Sequence, residues 1–455
     1  MWKIQNRTLF IGMLAAAWLT GCAHSQREQL DAMAHELHQA APHPEETEAA
    51  EALLEGEHDT PLEKEALVRA VLARNPSLES ARLAWQAVVA QQPQATALSD
   101  PMVSYSLAPA SVRSSNVRFG QVVKIEQRFP WPSTLRLAGD VVLSDAEATR
   151  SDYEAARLDL ALLASFLFDE YAKIVRLLEL NAEHRQLTEN IKAAAIAQYQ
   201  AGRAPQQEPL QAEVELSHVL HEEVLLESDR SVTIAKLNQL LHRAPQSELP
   251  PPERARFVPA DIRETAELQD QALERRPELR ATESRVSARE SAAELTQREF
   301  FPDLGIMGEY NSMWREAQHR WMLGVSVNVP IQIKSRRGSV DQAKAELGRA
   351  RANFEGMSDE VRTQVDQSRQ RVLEAQHVLT LYQERLLPAA HAQIEAARAG
   401  YETGRNSFQA LIDSERSLRT LEIQYEEALA TFGQTGAELS RALGHTPGLP
   451  EGGTP

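Results

Sequence analysis

The chain has a single cysteine, Cys22, which rules out any intramolecular disulfide or thiolate metal site. Aromatic residues are only 5% of its 455 residues, while Ala, Leu, Glu, Gln and Arg abound. That is the composition of long helices rather than of a globular enzyme core. Basic residues are in deficit, with 48 Lys and Arg against 65 Asp and Glu and a formal charge of −17, so nucleic acid is not an expected partner. Beyond Cys22 no apolar run reaches the roughly 20 residues of a membrane-spanning helix, so a mature chain that crosses a bilayer must do so as β-strands. Catalytic motifs are missing too: no nucleophile elbow, no phosphate-binding glycine loop, no HExxH and no cysteine ligand pair. These absences predict a protein that is not an enzyme and carries no cofactor.

What is present begins with an address. Lys3 and Arg7 precede an apolar stretch from Leu9 to Leu19, too short to span a bilayer but suited to a secretory signal over residues 1–21. It ends in Leu19, Thr20, Gly21 and Cys22, which resembles the lipobox of bacterial lipoproteins. That resemblance implies that Cys22 is acylated and opens the mature chain, and Ala23 after it implies sorting to the outer membrane. A chance cysteine beside an ordinary cleavage site is the alternative. Without the signal, which holds Lys3 and Arg7 but no acid, the charge is −19. An acidic arm follows over residues 22–65, with His24, His35, His38, His43 and His58. His35 and His38 are weak candidates for capturing Zn²⁺ or Cu²⁺ among neighbouring carboxylates, and a plain acidic tether is the simpler reading.

The rest of the chain states one pattern twice, about 200 residues apart. Asn75-Pro76 answers Arg276-Pro277, Pro101 answers Pro302, Phe129-Pro130 answers Val329-Pro330, and Leu237 answers Leu439. Tyr199, Gly202 and Arg203 answer Tyr401, Gly404 and Arg405. A constant offset marks a duplicated supersecondary unit. The repeats are read as residues 66–245 and 266–445, joined by a linker at 246–265 and followed by a disordered tail at 446–455.

Each repeat contains a long rod. From Leu347 through Ala350, Phe354, Met357 and Val361, then Val365, Val372, Ala375, Leu379, Tyr382 and Leu386, apolar residues step by three and four with a slip at Val361 to Val365. This is coiled-coil spacing with a stutter. No proline interrupts residues 134–199, and none lies between Pro330 and Pro388. Runs of about 65 residues make helices on the order of 100 Å long. Shorter helices at 66–97 and 206–242, and at 268–300 and 408–443, would stack end to end along the rods. The rods turn back at Gly202 and Gly404, which can take the positive φ of a helix stop.

Between the first short helix and each rod the period falls to two. Strands are expected at about 102–108, 119–129, 303–310 and 321–329, each with one oily and one polar face, bracketed by Pro101, Pro130, Pro302 and Pro330. Phe129, Trp131, Tyr310 and Trp321 at their ends fit an interfacial girdle. Four strands cannot close a membrane barrel, and an open edge in lipid leaves backbone groups unpaired. Three chains would supply twelve strands and a water-filled lumen. A soluble sandwich on a helical stalk is the alternative.

The duplicated order of helix, hairpin, rod and helix, the run from Ile125 through Phe129, Pro130, Trp131 and Pro132 that opens a rod, and both Tyr-x-x-Gly-Arg turns resemble the TolC family of outer-membrane efflux factors. The resemblance covers residues 66–445. With the lipobox, the Phe-Pro-Trp-Pro segment is most similar to the branch that serves resistance-nodulation-division pumps for heavy-metal cations. It implies a mainly α protein with a small β part: a homotrimer with a 12-stranded barrel in the outer membrane and an α-helical tunnel in the periplasm of a Gram-negative bacterium. The partners it implies are a periplasmic adaptor protein, an inner-membrane resistance-nodulation-division pump and outer-membrane lipid. Drug or protein export through the same channel is one alternative; a pore-less coiled-coil lipoprotein bridging the envelope is another.

The resemblance also nominates residues. Closed tips in this family carry aspartate rings; here the second acidic position falls on Asp413 and the first on Ala410, which halves the constriction. Asp413 is thus either pore-lining or a solvated helix carboxylate. Tyr401 and Tyr199 either bond across helices at a gate or fill coiled-coil core. Gly202, Arg203, Gly404 and Arg405 either meet the adaptor or only cap helices.

Overall fold

Four strands form one antiparallel sheet in chain order: β1 (Met102–Ala108), β2 (Gly120–Phe129), β3 (Leu304–Asn311) and β4 (Trp321–Val327). The molecule is a computed structural model that describes residues 26–41, 61–113, 119–259 and 262–449. Each repeat contributes one hairpin, and the hairpins join through β2 and β3, with Ile125 opposite Gly308 and Phe129 opposite Leu304. The register sets like beside like. Tyr105, Val123, Tyr310 and Trp321 form one cross-strand row, and Val103, Ile125, Gly308 and Leu323 the next. Because side chains alternate along a strand, these rows share one face. That face is bare, with Leu323 92% and Trp321 74% exposed. The opposite face holds Ser104, Lys124, Glu309 and an ion pair of 2.8 Å between Lys124 and Glu126. The fold class read from the sequence, long helices with a four-stranded sheet, is the one observed.

The helices are α1 (26–39), α2 (Lys64–Arg74), α3 (Pro76–Val89), α4 (Gln92–Thr96), α5 (Thr134–Gln200), α6 (Gln207–Leu240), α7 (Thr265–Arg275), α8 (Pro277–Arg298), α9 (Ile333–Leu381), α10 (Leu387–Glu402) and α11 (Phe408–Ala442). The chain divides into two compact units, each drawing on both repeats. The first takes the segment ending at Ala41, Ala81–Tyr153 and Glu278–Met357, and so contains the sheet; the second takes Pro42–Ser80, Glu154–Pro277 and Ser358–Pro455.

Helices expected to be single are broken where proline demands it. Asn75 before Pro76 and Arg276 before Pro277 are both extended, with ψ of 122° and 120°, because a proline ring excludes the helical region for the residue before it. The two residues then do the same work in their own repeats. The Asn75 amide donates to the Leu240 carbonyl (2.9 Å) and the Arg276 guanidinium to the Ala442 carbonyl (3.3 Å), satisfying the open C-terminal ends of α6 and α11.

The rods differ. α5 runs 67 residues unbroken. Its counterpart ends at Leu381, widens into a π turn over Tyr382–Leu386 and resumes as α10 with Pro388 in its first turn. Proline lacks an N–H and crowds the carbonyl four residues back, and the wider turn relieves both. The spacing slip at Val361 to Val365 leaves α9 intact, with both valines fully buried.

The acidic arm is not only a tether. Its α1 helix buries Met33 against Leu143 and Ala146 of α5, with Leu30 packed on the same cluster, Leu37 also buried, and Glu36 paired to Arg150 at 2.9 Å. The three-four spacing of Leu30, Met33 and Leu37 is the signal for it.

The C-terminal turns of α6 and α11 are also equivalent. His242 (φ 53°) and Gly444 (φ 80°) sit at matching left-handed positions, closed by bonds from Arg243 N to Asn238 O (2.9 Å) and from His445 N to Ser440 O (2.9 Å). A side chain in that region costs about 1–2 kcal/mol, partly offset by the backbone entropy a glycine loses. His242→Gly is therefore expected to raise the midpoint of thermal unfolding. Gly444→Ala is expected to lower it, since a Cβ there lies 3.1 Å from the Arg275 backbone.

A candidate gate at the helix turns

The turn from α5 to α6 and the turn from α10 to α11 are built alike. Gly202 (φ 68°) and Gly404 (φ 71°) take the left-handed position. Arg203 N then reaches the Gln198 carbonyl (2.9 Å) and Arg405 N the Gly400 carbonyl (2.7 Å). Open space surrounds both glycines, so φ alone requires them. The side chains of Arg203 and Arg405 are exposed. α11 begins with Ser407, whose hydroxyl accepts from Ala410 N at 3.2 Å.

Behind the turns lies a core drawn from α5, α6, α10 and α11: Ile191, Ala212, Ile394, Tyr401, Leu411 and Ile412 are among its buried members. Tyr401 both fills this core and bonds across helices. It is 8% exposed, its ring meets Phe408 edge-on at 5.6 Å, and its hydroxyl donates to Glu208 of α6 at 2.8 Å. Burial and that carboxylate both push the Tyr401 hydroxyl pKa up, so it stays a donor. Tyr199 is its counterpart in the first repeat and is 45% exposed. The position matching Glu208 in the second repeat is Ala410, which offers no acceptor.

Asp413 lies one turn into α11 on the exposed side. It accepts from Gln409 at 2.8 Å and sits 3.8 Å from Arg416. Arg416 is engaged mainly by Glu215 of α6, a carboxylate 2% exposed and held below its ordinary pKa by that guanidinium. Gln211 of α6 also donates to Gln409 at 2.9 Å.

A cluster of buried charges was missed by sequence reading. His184 of α5 is 4% exposed and stands between two glutamates of α11, with Nδ1 3.3 Å from Glu415 and Nε2 2.7 Å from Glu422. His391 of α10 lies 3.7 Å from Glu422. Burial pulls the His184 pKa down, but bonds and charge from Glu415 and Glu422 outweigh it and raise it to about 9. The signal was in the spacing: His184 continues the apolar series Leu177, Leu180, and Glu415 falls between Ile412 and Leu418. A histidine and a carboxylate on two facing apolar stripes are each unstable alone and complementary together.

The remaining candidates are placed plainly. His35 and His38 are exposed on α1, and among the described residues no group of His, Cys, Asp or Glu gathers to hold a metal ion. Cys22, the signal segment, His24, His43 and His58 lie outside the described residues. No helix among the described residues is long and apolar enough to cross a membrane.

Residues 268–445 match the model of the outer membrane efflux protein family. Among solved structures, the chain is similar to a membrane protein from Pseudomonas aeruginosa at 21% identity and TM-score 0.72, covering 85% of this chain and 91% of that one. It is similar to CusC at 17% and 0.73, covering 85% and 93%, and to the outer membrane protein VceC of Vibrio cholerae at 17% and 0.70, covering 83% and 95%. At these identities the likeness is one of fold. No curated protein matches the chain by sequence. The resemblance to the TolC family of outer-membrane efflux factors is thereby borne out: the second repeat matches the family model, and the fold is that of its channels.

Proposed function

We propose that this chain is the outer-membrane channel of a tripartite efflux pump, anchored by lipid on Cys22 and assembled as a homotrimer. The observation that carries the reading is the sheet: an apolar face exposed from Val103 across to Leu323, with β1 and β4 each paired on one side only. Exposed apolar patches of this kind mark a membrane or partner surface, and open edges in lipid must be closed. Three copies close them with twelve strands. Energy comes from an inner-membrane resistance-nodulation-division pump through a periplasmic adaptor that meets Gly202, Arg203, Gly404 and Arg405. The channel opens when the latch between Tyr401 and Glu208 releases, and Asp413 lines the passage. Heavy-metal cations are the proposed cargo, which suits an acidic chain.

The test is conductance in a planar bilayer. Discrete cation-selective steps are expected from the purified protein, and Asp413→Ala is expected to weaken the cation preference without abolishing conduction. Silence from a folded, membrane-extracted protein that persists in Tyr401→Phe would remove the channel reading. Cargo is read separately from growth: loss of the gene should lower tolerance to divalent heavy metals, and lowered drug tolerance alone would reassign it.

A further inference from the structure

We infer that Lys334 and Arg337 form a binding surface for the phosphates of anionic phospholipid at the periplasmic edge of the membrane. The inference rests on the channel reading, which puts the sheet in the bilayer. Along β4 an exposed apolar stripe runs with period two, Trp321 (74%), Leu323, Val325 and Val327, and past the end of the strand Val329, Ile331 (81%) and Ile333 (50%) are exposed as well. The stripe opens on an aromatic, as a membrane interface favours, and stops abruptly at a cation.

Three basic residues follow the stripe. Arg336 turns back, half-buried, and its Nε donates to the Glu299 carbonyl at 2.7 Å. Lys334 and Arg337 are exposed and three residues apart in α9, so they share a face, and neither forms an ion pair among the described residues. The next acid, Asp341, follows Arg337 by four residues and so shares its face, without an ion pair to it among the described residues. The first repeat has no such feature at the same place. Its stripe is interrupted by Gln127, and its one cation there, Arg136, is held by Asp140 at 2.7 Å. Two free cations where an apolar stripe ends, on a chain of charge −17, have the complement of a lipid phosphate.

The experiment titrates phosphatidylglycerol or phosphatidylcholine into detergent-purified full-length protein and follows thermal stability, comparing wild type with the double variant Lys334→Gln, Arg337→Gln. Wild type should be stabilised more by phosphatidylglycerol. The variant should lose affinity for it by about thirtyfold, at roughly fivefold per cation, with its behaviour in phosphatidylcholine unchanged. An equal phosphatidylglycerol response in both proteins overturns the inference. So does a loss of stability that is the same in both lipids, which would make the patch a contact between copies of the chain. Insertion and conductance in neutral bilayers separate the two readings: a wild type that never inserts fails as a channel, whereas one that inserts and ignores lipid charge fails only here.

Discussion

Tyr401→Phe should leave the protein folded and its closed state leaky. The variant keeps the ring that packs on Phe408 and deletes only the hydroxyl that donates to Glu208. A buried hydrogen bond to a charged acceptor is worth about 1.5–3 kcal/mol, so its loss raises the open-to-closed ratio by about ten- to a hundredfold. The measurement is resting conductance at fixed voltage. Glu208→Gln, which keeps an acceptor but no charge, should give a smaller rise. Tyr199→Phe should do almost nothing, because Ala410 stands where its acceptor would be. Equal leakiness in the Tyr199 and Tyr401 variants, or none in either, would dismiss the latch.

The second large effect is on stability. His184→Leu removes the imidazolium that stands between Glu415 and Glu422 and leaves Glu415, 1% exposed, as an uncompensated buried carboxylate. Breaking a buried ion pair from one side costs about 3–5 kcal/mol, readable as a fall in the denaturation midpoint. Changing His184 and Glu415 to leucine together should recover part of it. The pH dependence has a definite sign. His184 is raised to about 9 in the folded protein, above its unfolded value of about 6.5, so its contribution is full below about 6.5 and is lost as pH rises through about 9. The stability gap between wild type and His184→Leu should therefore narrow by about 3 kcal/mol across that window. A gap that stays constant from pH 6 to pH 10 would show that the histidine is neutral in the fold.

Much of this molecule is legible in one dimension. Alternation in Val103, Tyr105 and Leu107 marks a strand, three-four spacing from Leu347 onward marks a rod, and Gly202 and Gly404 mark the turns. Each of these rests on neighbours a few residues apart, where backbone geometry decides. The π turn before Pro388 and the α1 helix were also local, and the residues that announce them, Pro388 and the series Leu30, Met33, Leu37, were in plain view. The site was less legible. Asp413, Tyr401 and Tyr199 could be nominated, but nothing in a tyrosine's own neighbourhood tells whether a carboxylate waits on another helix.

What the sequence determined alone is the duplicated unit, its strands, its rods and its turns, because periodicity and backbone preference act within each segment. Only the tertiary structure decided that β2 pairs with β3, that Tyr401 rather than Tyr199 finds an acceptor, and that His184 meets Glu415 and Glu422. Those partners lie about 175 to 240 residues apart in the chain. The two repeats share a backbone plan but have drifted in side chains, so the same position can hold a bonded group in one repeat and a bare one in the other. Which it is depends on the facing helix, whose identity the chain acquires only on folding.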